Sequence, residues 1–392
     1  MFCSLSVCLD FLHGLTVNGK SLDRPCQFCV LMVRKADRLV IEGAVRSPKM
    51  GRTVAFQKNA RNVFFHILTL CNLKCRHCYI NPKQHGLEML PTKTIKRWLK
   101  ELVHEKNETN LIFIGGEPTL HPDLHALIKI ARKMGYGSIT VDTNGFFFNK
   151  ILARVTPGEV DYFSVGLDGS RREVNDFIRG RGSYTKSVTG IQEALGKGFK
   201  VSIIYTVSRW NLRDLKNMPS FLKGIGIDRF FIQVIGIRGR SAKDQEERLQ
   251  LTRKEWAAVV PRVAERAARL GIHVTYPKVF LENTEPFECA GLVAENYFVF
   301  PNGRVYQCPL CEDFPLHSHA FAGDRLTLRP PVTEKQLFEL SIPEGCVMNK
   351  LIQPGNIAYD RQGRPRYKIA CCLLKQEIAA QSSKLKAQRA TS

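Results

Sequence analysis

The stretch VFFHILTLCNLKCRHC, residues 63–78, sets an apolar run directly against three cysteines, Cys71, Cys75 and Cys78. The run is rich in β-branched and aromatic residues and reads as a buried strand. On a helix the spacing i, i+4, i+7 would mark one face. Here Pro82 soon interrupts, and Lys74, Arg76 and His77 fall between the thiols. A ligand loop at a strand end is the better reading. Thiolates are the usual ligands of iron–sulfur clusters, and a [4Fe–4S] cube normally takes four. The triplet therefore leaves one iron open, or it needs a ligand from elsewhere.

Working outward, short runs rich in Val, Ile and Phe recur at 111–114, 138–141, 162–165, 200–207 and 229–235. Helix-like segments such as TKTIKRWLKELVHE and YTKSVTGIQEALGKG separate them. Apolar strands alternating with amphipathic helices predict a parallel sheet covered on both faces. Six βα units are too few to close an eight-stranded barrel. The expected fold is α/β, a partial (β/α)6 TIM-like barrel over 62–270 with a smaller cysteine-rich domain over 271–372. Barrel active sites are built at the C-terminal strand ends. The triplet ends the first strand, IGGEP (114–118) the second, DTNG (142–145) the third and GLDG (166–169) the fourth. Gly115 and Gly116 permit close backbone approach, and Glu117 adds a carboxylate. Asp168 either contacts a cofactor or caps the next helix.

The Cys-x3-Cys-x2-Cys spacing of CNLKCRHC resembles that of the radical S-adenosylmethionine (SAM) superfamily. The resemblance implies that Cys71, Cys75 and Cys78 hold a [4Fe–4S] cluster whose fourth iron takes no protein ligand and is chelated by SAM. An electron from the cluster would then cleave SAM to methionine and a 5′-deoxyadenosyl radical that abstracts hydrogen from a substrate. It further implies that Gly115, Gly116 and Glu117 bind the methionyl ammonium and that the Asn144 loop lies near the cofactor. Relatives commonly show Ser-Leu-Asp-Gly where this chain has GLDG, so Gly166 replaces the serine. Ser164, on the same strand face by the period of two, is the expected substitute. DFIRGRGSY (176–184) resembles the Arg-Gly segment of those relatives and makes Arg179 the candidate partner of the SAM carboxylate. An iron open to SAM is also open to oxygen, so the protein is expected to be oxygen-sensitive.

A second cysteine group follows. Cys289, thirteen residues, Gly303, four residues and Cys308 have a spacing similar to the start of a SPASM or Twitch domain. Cys311, Cys346, Cys371 and Cys372 complete the candidates. The later CxxC-x5-C-x3-C run of a full SPASM domain is missing, which implies one auxiliary [4Fe–4S] cluster rather than two. The Cys308–Cys311 pair suits tetrahedral zinc equally well, so a structural zinc site competes.

At 392 residues, 44% hydrophobic and 24% charged, the composition is that of a globular protein. No run of about 18 uncharged apolar residues predicts a membrane span. The start carries Asp10 and no early Lys or Arg, a poor secretory signal, so a cytoplasmic location is expected. Thirteen cysteines in that compartment read as metal ligands rather than disulfides. A net charge of +22 favours acidic partners such as nucleic acid, phosphate-bearing substrates or an acidic electron donor. The resemblance implies a reduced flavodoxin or ferredoxin-type donor. Residues 1–61 read as an N-terminal extension. Within it, 1–49 either bind metal through Cys26 and Cys29 or precede a start at Met50. The basic stretch 373–392 reads as a disordered tail. Three functions stay open: radical modification of a peptide or protein; radical modification of a small molecule, cofactor precursor or RNA; and a non-catalytic iron–sulfur protein that carries electrons or assembles clusters.

Overall fold

The computed structural model describes residues 60–381, apart from 87, 105–108, 243–248, 315 and 330–331. The expectations for 1–49 and for the tail beyond 381 lie outside the described residues.

Seven strands run parallel in sequence order: β1 (Arg61–His66), β2 (Thr109–Ile114), β3 (Ser138–Thr143), β4 (Tyr162–Gly166), β5 (Val201–Val207), β6 (Arg229–Val234) and β7 (His273–Pro277). The first six fall on the expected runs. The helix Arg253–Arg269 begins at a reciprocal Thr252–Glu255 cap and packs on β7. β7 itself pairs with β6, so the parallel sheet continues past residue 270.

The cysteine-rich region adds strands to both edges of this sheet. β8 (Phe280–Leu281) pairs apart from it with the later strand β13 (Lys368–Ile369). β9 (Glu295–Val299) pairs parallel with β1, Arg61 opposite Glu295. β10 (Arg304–Tyr306) returns antiparallel to β9 around Asn302 and Gly303, as the hairpin signal predicts. β11 (His319–Ala322) and β12 (Arg325–Leu328) extend that side. At the other edge, β14 (Lys375–Ile378) runs antiparallel to β7. For Lys375–Ile378 this corrects the reading of 373–392 as a disordered tail; residues 382–392 lie outside the described residues. An antiparallel edge strand needs no continuous apolar run, because its backbone completes the open ladder of its neighbour.

Alternation along the strands sorts side chains into two layers. Val63, Phe65, Leu111, Phe113, Ile139, Val141, Phe163 and Val165 join the core under the helices. Each fully buried residue of this kind contributes about 1.5–3 kcal/mol. The intervening positions face the barrel interior. One row runs in register across five strands: Asp142, Ser164, Ser202, Arg229 and His273. A second, smaller core of Phe298, Phe300, Tyr306, Leu310, Phe338 and Met348 packs around Cys311. Among the described residues no helix is long and apolar enough to cross a membrane.

Candidate functional site

The C-terminal strand ends form one rim. Its first contact is backbone on backbone: Gly116 N donates to Leu68 O (3.0 Å) and Glu117 N to Leu70 O (2.9 Å). A Cβ on Gly115 or Gly116 would collide with the carbonyls of Leu68 and Leu70. Glycine at both positions is what lets the second strand end lie against the chain entering the triplet.

Glu117 is fully buried. Its Oε1 accepts from Thr119 N (3.0 Å) and Thr143 Oγ1 (2.7 Å), and its Oε2 from Asn144 N (2.7 Å). Burial raises this carboxyl, and the hydrogen bonds oppose the rise. Asn144 carries the connection onward. Its Nδ2 donates to Asn72 Oδ1 (2.9 Å) and lies 3.8 Å from Cys71 Sγ. Glu117 thus ties the second and third strand ends to the triplet loop.

Cys71, Cys75 and Cys78 are all free thiols. Cys71 is exposed, and its Sγ accepts from Leu73 N (3.4 Å). Burial pushes the Cys75 thiol up to about 12, against the pull of Arg179; negative charge on Cys78 or Cys71 pushes the same way. The three sulfurs therefore lie within electrostatic reach of one another. Beside them, the Arg76 guanidinium lies over the rings of Phe177 (4.2 Å) and Trp210 (4.5 Å), which meet edge to face.

Asp168 is the hub of the opposite side. Its Oδ2 accepts from His77 Nε2 (2.6 Å) and Arg179 Nε (2.6 Å), and its Oδ1 from Thr206 N (2.8 Å). Burial alone would raise this carboxyl; Arg179 and His77 overcome it and hold the group at about 2. The capping alternative for Asp168 is corrected: the helix Arg172–Arg179 has Arg171 at its N-cap. Arg179 is the last residue of that helix and buried, not an exposed loop residue. Its guanidinium turns inward to the buried carboxylate of Asp168. Ser164 lies one layer deeper than Gly166, hydrogen-bonded to Ser202 Oγ (2.7 Å).

Three residues here escaped the sequence reading. His77 sits inside the triplet, where the cysteines drew all attention. Asp142, on β3, lies two residues before Asn144, and the period of two could have found it. Burial raises its carboxyl to about 7, a hydrogen bond from Ser164 opposes this, and Glu117 adds to it. Arg238 follows β6 in the sequence IGIRGRS, an Arg- and Gly-rich turn at a strand end. Its guanidinium lies 4.7 Å over the Tyr79 ring.

The second cysteine group also gathers. Ala290 N, next to Cys289, donates to Cys371 Sγ (3.5 Å), and interaction between the two thiols raises Cys289 and lowers Cys371. Cys311 N donates to Cys308 O (3.0 Å), and interaction with Cys311, together with burial, raises the Cys308 thiol. Cys346 feels the charge of Cys308, Cys371 and Cys372. Among the described residues, no group of three or more His, Cys, Asp or Glu stands ready to hold a single metal ion. The donor chemistry nonetheless fits iron–sulfur ligation: both groups are reduced, soft thiols. Burial disfavours a bare thiolate at Cys75, and a bound cationic centre would offset that cost.

Residues 66–222 match the family model described as the radical SAM superfamily. Fe-coproporphyrin III synthase of Methanosarcina barkeri is 31% identical over 211 residues, covering 53% of this chain and 52% of that protein. Mycofactocin maturase MftC of Mycobacterium ulcerans is 26% identical over 275 residues, covering 66% of this chain and 69% of that protein. The chain thus spans about half the length of the first relative and about two thirds of the second. The crystal structure of Streptococcus suis SuiB superposes with a TM-score of 0.51 at 16% identity, over 86% of this chain and 74% of SuiB. That likeness carries the fold, an α/β barrel with further strands.

Proposed function

We propose that the protein is a radical SAM enzyme with a [4Fe–4S] cluster on Cys71, Cys75 and Cys78. The bound cluster and SAM supply reductive cleavage to methionine and a 5′-deoxyadenosyl radical for hydrogen abstraction. One observation carries the reading: the thiol triplet, the Gly115–Glu117 segment and Asn144 meet at one rim through direct contacts. In this reading Gly115, Gly116 and Glu117 receive the methionyl part of SAM. Arg179, its Nε engaged by Asp168, keeps Nη1 and Nη2 for the carboxylate. Asp168 orients Arg179, and Ser164 lines the wall below.

The region 271–372 is read as a SPASM/Twitch-like domain. One auxiliary [4Fe–4S] cluster would take ligands from Cys289, Cys308, Cys311, Cys346, Cys371 and Cys372. The setting is cytoplasmic, with a reduced flavodoxin or ferredoxin-type donor. The substrate is a peptide or protein, as the maturase among the relatives supports. A second reading, a small molecule or cofactor precursor, is favoured by relatives named for Fe-coproporphyrin III and pre-heme d1.

The test is anaerobic reconstitution, reduction and assay of 5′-deoxyadenosine. The enzyme reading requires SAM-dependent formation that vanishes in Cys75→Ala. Equal, background formation in both proteins would leave an iron–sulfur electron carrier instead.

A further inference from the structure

We infer that Arg238 is a positioning residue that couples the two cysteine sites. It clamps the loop of Cys78 to the turn of Cys308 and Cys311, so that each site sets the electronic surroundings of the other. The inference rests on reading both cysteine groups as cluster sites.

The contacts of one side chain carry it. The Arg238 guanidinium covers the ring of Tyr79, the residue after Cys78. The same group donates through Nη1 to Glu312 Oε2 (2.6 Å), the residue after Cys311, and to Pro309 O, between Cys308 and Cys311. Arg238 is held in its turn by Ser241, whose Oγ accepts from Arg238 N (3.0 Å) and donates to Gly236 O (2.9 Å).

The backbone beside it grips the triplet loop too. Arg240 N donates to Cys78 O (2.8 Å), and Arg240 Nη1 to Cys75 O (3.4 Å). A Cβ on Gly239 would stand 2.5 Å from Cys78 O, so this approach needs glycine, whose φ is +59°. Further along the same segment, His85 Nε2 bonds Glu312 O (3.1 Å) and Gln84 Nε2 donates to Asp313 O (2.6 Å). Tyr79 is fixed from its far end, its hydroxyl 2.7 Å from His66 Nε2.

Burial gives the clamp its reach. The side chains of Arg238 and Glu312 are 13% and 1% exposed. A charge pair screened this little from its surroundings acts over a longer distance than one in water. A packed, charged link between two loops transmits both a displacement and a change of charge, which bulk packing alone does not.

The experiment is a double-mutant cycle on the full chain, reconstituted anaerobically with iron and sulfide. The readouts are the electron paramagnetic resonance signal and midpoint potential of the triplet-site cluster. Each is recorded before and after the second site is emptied by Cys308→Ala with Cys311→Ala. The same pair is then recorded in Arg238→Met/Glu312→Gln, which removes both charges and leaves neither buried alone. Emptying the second site is expected to shift the triplet signal in the wild-type background and to leave it unmoved in the double variant. Tyr79→Leu breaks the clamp from the other side, keeps the Arg238–Glu312 pair and is expected to lose the shift as well. Arg238→Lys, which keeps a cation but not the planar fork, should retain part of it. A full shift in both clamp variants at equal iron content, or no shift in the wild-type chain, would overturn the coupling and leave two cluster sites standing. Unchanged iron content on replacing Cys71, Cys75 and Cys78 together by Ala would overturn the reading of the triplet and the coupling with it.

Discussion

The guanidinium of Arg179 fills the space that a side chain at Gly166 would need: a Cβ built on Gly166 would stand 2.5 Å from both Nη1 and Nη2. The same guanidinium holds Asp168 through Nε at 2.6 Å. The missing serine of the fourth strand end and the buried arginine are therefore one arrangement.

Gly166→Ala should push the guanidinium off its seat. The clashing atoms are the tip of a flexible side chain, so the loss comes through the disturbed Arg179–Asp168 contact rather than through core overpacking, and it is read as a lowered denaturant midpoint. Gly166→Ala added to an Arg179→Ala/Asp168→Asn background, where the space is free and neither charge is left buried alone, should cost little further. A midpoint equal to wild type in Gly166→Ala would refute the steric account.

Asp168→Asn should cost about 3–5 kcal/mol, because Arg179 is left buried without its counter-charge. The pH dependence has a defined sign. The native carboxyl titrates at about 2, below its unfolded value near 4. Its contribution is complete above pH 4 and is lost as the pH falls toward 2. Acid titration of stability in wild type and Asp168→Asn should converge in that window.

Asp142 has the opposite sign. Its native carboxyl is raised to about 7 from an unfolded value near 4. The native state then holds a proton that the unfolded chain has released. Wild-type stability should fall as pH rises from 4 to 7, and Asp142→Asn should flatten this slope. Parallel slopes in the two proteins would count against the assignment.

Replacing any of Cys71, Cys75 or Cys78 by Ala should abolish SAM cleavage and leave iron at the second site. Air exposure of the loaded wild-type protein should abolish cleavage too. Retained 5′-deoxyadenosine formation in Cys75→Ala would remove the basis of the triplet reading.

With all three opening cysteines replaced by Ala, the chain should still bind about four irons, the content of one cube. Adding Cys289→Ala or Cys308→Ala should release them and open residues 271–372 to protease. Zinc in anaerobically purified protein, with no residual iron in the triple variant, would make this region a zinc domain.

The six expected strands were legible because each is an apolar run that burial on both faces imposes. β7 and β14 were not. The sequence HVTYP is short and mixed, and KQEI is polar, so only their neighbours reveal them. At the site, Cys71, Cys75 and Cys78 were legible because their spacing is local, and Gly115 and Gly116 because a close approach needs glycine. The work of Asp168 was hidden. Its partners His77 and Thr206 lie 91 and 38 residues away, and no local pattern joins them. Arg238 escaped for the same reason: what it joins comes together only when the cysteine-rich region folds back.

The pairing of β1 with β9 spans 234 residues, as the Asn62–Asn296 hydrogen bond shows. Seen from the ribosome, the strand that leads into the triplet is made early and completed late. Until residue 299 has emerged, the outer edge of β1 offers unpaired backbone beside Val63, Phe64 and Phe65, a template for any other extended chain. Non-local pairing of this kind also slows folding. Fragments that stop short of Glu295 are thus expected to aggregate through this edge, and expression of the barrel segment alone would require chaperones or a covering strand supplied in trans.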